Sequence, residues 1–149
     1  MTETVLVTGG TGFVGVHCIL QLLNSGYRVK TTMRSISRKD EVMEMLRVGG
    51  ITSFDHLECL EADLTQDAHW DDAVKDCDYV FHVASPIFLR VPKDENEMIK
   101  PAVEGMLRVL KAARDVNVKR GVMTARLDRS RYRFVQPHSK EPCPAIGRV

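Results

Sequence analysis

Residues 7–15 read Val7-Thr8-Gly9-Gly10-Thr11-Gly12-Phe13-Val14-Gly15, and they sit between two very different patterns. Ahead of them runs a short apolar, β-branched stretch from Thr4 to Thr8, the mark of a buried strand. Behind them, from Gly12 to Asn24, apolar residues recur at helical spacing, as Val14-Cys18-Leu22 and Phe13-Leu20-Leu23, until Ser25-Gly26 closes the helix. A strand passed directly into a helix through glycines leaves few folds open. At the spacing Gly9-x-x-Gly12-x-x-Gly15, Gly9 permits the tight turn, Gly12 keeps a Cβ out of the path of a phosphate, and Gly15 lets the helix lie close to the sheet. Free amide N–H groups and the helix dipole favour an anion at such a turn. The expected ligand is a dinucleotide pyrophosphate, with Thr11, Phe13 and Val14 belonging to the same cradle. A ligand-free βα turn is the alternative.

The alternation continues. Residues 27–33 read as a second strand, 39–48 as a helix stopped by Gly49-Gly50, and 57–60 as a third strand. Thr65 is placed to cap a short helix over 67–75, and 78–84 is a fourth strand. Beyond a loop holding Pro86 and Pro92, residues 94–116 form the longest helical segment. Its apolar row is Met98, Ala102, Val103, Met106, Leu110 and Ala113, and Pro101 is expected to start a turn or kink the axis. Residues 118–124 open a fifth strand. This pattern predicts an α/β, doubly wound parallel sheet of Rossmann-like type, with strand order 3-2-1-4-5 and right-handed crossovers. At 149 residues and 44% hydrophobic content the chain suffices for one domain with a core of its own.

Several classes are disfavoured. The net charge of +1 creates no global field for nucleic acid or an acidic membrane. No apolar run is long enough to span a bilayer, and Met1-Thr2-Glu3-Thr4 does not start a secretory leader. Cys18, Cys59, Cys77 and Cys143 are far apart with no C-x-x-C, so neither a disulfide framework nor a metal site is expected. The expectation is a cytoplasmic protein with no nucleic-acid partner and an oligomeric state left open.

The residue after the second strand tests the cofactor type. An acid there would bond the ribose hydroxyls of NAD. This chain has Arg34, followed by Ser35, Ser37, Arg38 and Lys39, with no acid before Asp40. A guanidinium fork beside small hydroxyls suits a 2′-phosphate, which favours NADP over NAD; a solvated basic loop is the alternative. After the third strand, the Asp63 carboxylate can accept from the adenine amino group, with Leu64 beside it, although a turn aspartate fits the spacing equally well. Val83, Ala84 and Ser85 end the fourth strand, where small side chains would let the nicotinamide ribose pass. His82 reads as a packed strand residue.

Taken in order, V-T-G-G-T-G-F-V-G (7–15), Arg34, A-D-L (62–64), F-H-V-A-S-P (81–86), P-A-V-E-G-M-L-R-V-L-K-A-A (101–113) and V-K-R-G-V-M-T (118–124) resemble the extended short-chain dehydrogenase/reductases of the epimerase/dehydratase superfamily. The branch they resemble is the one containing dihydroflavonol 4-reductases and cinnamoyl-CoA reductases. The resemblance runs from about residue 3 to 124 and implies NADP-dependent oxidoreduction of a carbonyl or alcohol. It assigns cofactor roles to Gly9, Gly12, Gly15, Arg34, Asp63, Leu64, Ala84 and Ser85. It also implies a fifth strand ending in Thr-Ser-Ser and a later Tyr-x-x-x-Lys, whose lysine eases proton transfer from the tyrosine. Neither is here: Thr124 is followed by Ala125-Arg126, and Tyr27, Tyr79 and Tyr132 have Thr31, Val83 and Gln136 four residues on. No catalytic residue is therefore assigned. The expectation is a fold truncated after the fifth strand, with residues 1–124 binding dinucleotide and no substrate domain.

Residues 124–149 differ in texture. They hold six Lys/Arg against two Asp/Glu, leaving fifteen against eighteen in residues 1–123. Arg126 to Arg133 and Pro137, Pro142 and Pro144 follow neither strand nor helix periodicity. This irregular basic tail, 125–149, reads as an out-of-frame or mis-spliced end; an RNA-binding arm is disfavoured, since only Tyr132 and Phe134 offer stacking surfaces. Three functional readings stay open: the cofactor-binding segment of a reductase, inactive alone; a non-catalytic NADP(H)-binding or regulatory module; and a fragment without function.

Overall fold

The computed structural model describes residues 2–86, 93–94 and 96–125. The expectations for the tail from Arg126 onward, and for Pro92, fall outside these residues. Strand β1 (Thr4–Thr8) leads into helix α1 (Phe13–Asn24), then β2 (Arg28–Met33), a 3-10 turn (Ile36–Arg38) and α2 (Lys39–Val48). There follow β3 (Leu57–Glu61), α3 (Trp70–Val74), β4 (Tyr79–His82), α4 (Asn96–Asp115) and β5 (Arg120–Met123). All neighbouring strands are parallel, in the order β3-β2-β1-β4-β5. The expected doubly wound sheet and its strand order are what the chain adopts.

Alternate residues of the central strand explain the two layers. Val5 and Val7 face one side, where Val16 and Ile19 of α1 and Val42 and Leu46 of α2 complete a core. Leu6 faces the other, against Trp70, Ala73 and Val74 of α3 and Val109, Ala112 and Ala113 of α4. A strand buried on both faces has to read as a continuous apolar run, and Val5-Leu6-Val7 does.

Several local expectations are corrected. Phe13 and Val14 do not belong to the buried row of α1; they are exposed, and Gly15, Val16 and Ile19 are the buried residues. Thr65 caps no helix. It donates both its N–H and its hydroxyl to Asp63 Oδ1, each at 2.8 Å, because a local aspartate turn competes for the cap. Helix α3 starts only at Trp70, after His69 at φ +70°. Helix α4 continues through Pro101, which lies in its second turn. Its buried row is Gly105, Val109, Ala112 and Ala113, whereas Met98, Val103 and Leu110 of the expected row are substantially exposed. Gly121 on β5 meets no atom within 4 Å of where a Cβ would stand, so packing places no demand for glycine there.

Candidate cofactor-binding site

Because the strands run parallel, their C-terminal ends share one edge of the sheet, and a crevice of about 500 Å³ opens there. Gly9, Thr11, Gly12, Phe13, Val14 and Gly15 line it from the first turn, and Arg34 from the end of β2. Asp63 and Leu64 line it after β3, and Val83, Ala84 and Ser85 after β4. All of these residues therefore border the same crevice, whereas Ser35, Ser37, Arg38 and Lys39, which the sequence grouped with Arg34, do not line it. Thr32, Met33, Ala62, Thr65, Trp70, Pro86 and Thr124 border it as well.

The glycine turn is held by close approaches. Gly9 has φ +76°, a left-handed conformation that favours glycine, and a Cβ there would come within 3.0 Å of Ala84 Cβ. A Cβ on Gly15 would lie 2.2 Å from Gly9 O. The close contact of Gly15 is thus with the turn itself and not with the sheet, which corrects the expected role. Gly10 is also required, since its Cβ would meet Thr31 Oγ1 at 2.1 Å. At Gly12 the protein leaves room, the nearest atom being Gly9 O at 3.4 Å.

Gly12 is the N-cap of α1, no side chain caps it, and no acid occupies the first turn. The first helical bond joins Val16 N–H to Gly12 O at 2.9 Å. The amides of Phe13, Val14 and Gly15 precede that bond and have no acceptor within the helix. Uncapped donors beside a glycine cradle suit the pyrophosphate of a dinucleotide, so the residues present fit that group.

Thr8 fastens the end of β4 to β1. The last ladder pair between these strands is Val7 with Phe81. Beyond it, the buried Thr8 Oγ1 accepts the N–H groups of Val83 and Ala84, both at 3.0 Å, and lies 2.9 Å from His82 Nδ1. With both lone pairs occupied, the hydroxyl has only its proton to offer the ring. His82 is therefore neutral, with its own proton on Nε2. Burial pushes its pKa down, in keeping with a packed strand residue.

At the far rim, Arg34 is exposed and forms no ion pair among the described residues. Arg38 is not free in the same way. Its Nε and Nη2 donate to the two carboxylate oxygens of Glu41 at 2.7 and 2.8 Å. The basic cluster read from the sequence is thereby partly neutralised within its own turn. Ser35 and Ser37 hydroxyls pair at 2.8 Å, and Glu61 Oε2 accepts the Ile36 N–H at 2.9 Å.

The Asp63 carboxyl is held below its ordinary pKa, first by the Thr65 N–H and then, against some burial, by the Thr65 hydroxyl and the nearby Arg34 and Arg108 charges. Both Thr65 bonds fall on Oδ1. The turn reading and a ligand role for Asp63 are therefore compatible, with Oδ2 the atom left for a ligand. Two residues that the sequence did not flag shape this turn. Trp70, the one tryptophan, is buried and donates its indole N–H to Asp63 O at 3.2 Å and Gln66 O at 3.0 Å. Arg108 donates to Leu64 O at 2.8 Å and pairs with Asp67. No group of metal-ligating side chains occurs among the described residues, and none of the described helices is long and apolar enough to cross a membrane.

A parallel sheet in this order, with a glycine turn feeding an uncapped helix, is the architecture of nicotinamide-dinucleotide proteins. Residues 5–139 match the model of the NAD dependent epimerase/dehydratase family, and the chain belongs to that family. A dihydroflavonol 4-reductase of Arabidopsis thaliana is 40% identical over 124 residues, covering 83% of this chain and 32% of its own length. The crystal structure of vestitone reductase from alfalfa superposes with a TM-score of 0.65 at 32% identity, over 83% of this chain and 36% of that one. The yeast methylglyoxal/isovaleraldehyde reductase, solved with NADPH, gives 0.68 at 25% identity, over 83% and 37%. The chain therefore spans about a third of the length of these relatives. The reductase branch expected from the motifs is the one these matches show, and the family match continues past Thr124.

Proposed function

We propose that this chain is the cofactor-binding segment of an NADP(H)-dependent reductase acting on carbonyl or alcohol groups, and that the 149 residues alone bind the cofactor without turnover. One observation carries the reading: the uncapped α1 N-terminus, Arg34 and the ends of β3 and β4 converge on a single crevice. The amides of Phe13, Val14 and Gly15 receive the pyrophosphate, Arg34 receives the 2′-phosphate, and Asp63 Oδ2 accepts from the adenine amino group. Val83, Ala84 and Ser85 border the nicotinamide half. Bound there, the reduced nicotinamide supplies the hydride for carbonyl reduction. The relatives named as reductases, one of them solved with NADPH, support this assignment.

Titration of the purified chain with NADPH, followed by emission of the single Trp70, tests the first half. Saturable quenching in the micromolar range is expected, and its absence refutes cofactor binding. Detectable turnover of aldehydes or ketones refutes the second half. A non-catalytic NADP(H)-binding module is the second reading, favoured by the lack of Tyr-x-x-x-Lys in these residues. Sequencing the transcript across the codons for residues 118–149 and beyond separates the two. A downstream Tyr-x-x-x-Lys supports the reductase, and a stop after Val149 supports the module.

A further inference from the structure

Glu61, the exposed acid at the end of β3, does not line the crevice itself but stands beside the strand end that carries Arg34, which does. Met33 and Glu61 are register partners in the β2–β3 ladder, so Glu61 sits beside the strand end that carries Arg34. Its carboxylate does not drift in solvent. Oε2 accepts the Ile36 N–H at 2.9 Å, which holds the charge against the turn joining β2 to α2. Of the two arginines at that turn, Arg38 is taken up by the Glu41 carboxylate, whereas Arg34 forms no ion pair among the described residues. Asp63, two residues further on, is a second anion whose carboxyl feels the Arg34 charge.

We infer that Glu61 is a specificity-determining residue of the cofactor site: its carboxylate, pinned to the turn beside Arg34, opposes a ribose 2′-phosphate and holds down the preference for NADP(H) over NAD(H). The inference rests on the proposed cofactor reading. The physical reason is local. A 2′-phosphate brings close to two negative charges, whereas a 2′-hydroxyl brings none. A fixed carboxylate nearby therefore penalises one cofactor and not the other.

Glu61→Gln is the informative variant. The amide oxygen retains an acceptor for the Ile36 N–H, so the turn keeps its bond while the charge is removed. Titrating the 149-residue chain and the variant with NADPH and NADH, by Trp70 emission, reads out the two affinities. For a surface charge near a dianion, the NADPH affinity is expected to rise about three- to tenfold, with NADH changed less than twofold. At about 0.5 M salt, where screening falls to a few ångströms, the NADPH difference between the two proteins should shrink toward unity. Equal shifts for both cofactors, no shift for NADPH, or a difference that persists in high salt overturns the role of Glu61. If the wild-type chain binds neither cofactor, the cofactor reading fails and takes this inference with it. Circular dichroism of the variant shows that the fold is kept; Glu61→Asp, which shortens the side chain and retains the charge, should leave NADPH affinity below that of Glu61→Gln.

Discussion

Substituting the two glycines at the start of α1 by alanine separates what the fold needs from what a ligand needs. At Gly15 the added Cβ would stand 2.2 Å from Gly9 O, against the 3.0 Å below which such contacts are essentially never found. The obstacle is a backbone atom, and the turn that carries it is tied by the Gly12 N–H to Gly9 O bond at 3.1 Å. Either α1 or the turn must shift by roughly 0.8 Å. Overpacking of this kind costs about 3 kcal/mol, a large part of the roughly 5–15 kcal/mol that stabilises a domain. At Gly12 the backbone is extended, φ −88° and ψ 156°, and the Cβ meets only Gly9 O at 3.4 Å. Alanine fits there and loses only the N-cap preference, about 0.5–1 kcal/mol. The space it fills, however, is the space a pyrophosphate would need. Urea denaturation followed by Trp70 emission should therefore show a large loss for Gly15→Ala and a small one for Gly12→Ala. NADPH titration of the folded Gly12→Ala chain should show at least a tenfold weakening, about 1.4 kcal/mol. Equal stability losses would refute the assignment of Gly15 to the fold. Unchanged NADPH affinity in Gly12→Ala would refute the pyrophosphate cradle.

Three further outcomes follow from the same contacts. Thr8→Val strips the acceptor from the Val83 and Ala84 amides and the donor from His82, and should cost about 2–4 kcal/mol by urea denaturation, whereas Thr8→Ser should lose under about 1 kcal/mol. His82 has a folded pKa below the ordinary 6.5, so the unfolded chain binds its proton first as pH falls. The stability it contributes is complete above about 6.5 and declines as pH drops toward the folded value; thermal midpoints between pH 7.5 and roughly 5 should show this slope, and His82→Asn, which keeps an acceptor for Thr8, should flatten it. Trp70→Phe removes the indole donor from Asp63 O and Gln66 O and should cost about 1–2 kcal/mol by circular dichroism, with NADPH affinity, followed by the emission of the cofactor itself, falling because the turn bearing Asp63 loosens.

The glycine turn and the crevice residues were legible from short-range pattern, and the strand order because right-handed crossovers leave an alternating strand–helix chain few topologies. Val5-Leu6-Val7 announces burial on both faces, and the glycine spacing announces the turn wherever the rest of the chain goes. What failed depends on local competition, as where Asp63 takes the Thr65 donors, or on which face of an element meets the core, and what went unseen depends on partners distant in sequence. The Thr8–His82–Ala84 clasp joins residues 74 to 76 positions apart, and only the adjacency of β1 and β4 brings them together. The apolar row of α4 was misplaced because that helix carries two apolar faces, and periodicity alone does not say which one the sheet covers. The capture of Arg38 by Glu41, by contrast, was readable: the residues are three apart, the spacing at which helical side chains meet.

The inner face of α4 shows why the fold and the crevice are not separable in this chain. Gly105 lets the helix approach until a Cβ would stand 2.9 Å from Leu64 Cβ, and one turn later Arg108 grips Leu64 O and Asp67. Trp70 closes the same turn from α3. The position of Asp63 is therefore fixed by residues up to 45 positions away and not by the A-D-L sequence that advertises it. Leu64 is buried in the α3–α4 core while bordering the crevice, so tightening that core and shaping the β3 side of the crevice are one physical event. A substitution that loosens Val109 or Ala112 should consequently shift the amide resonances of Asp63 and Leu64 before those of the glycine turn after β1.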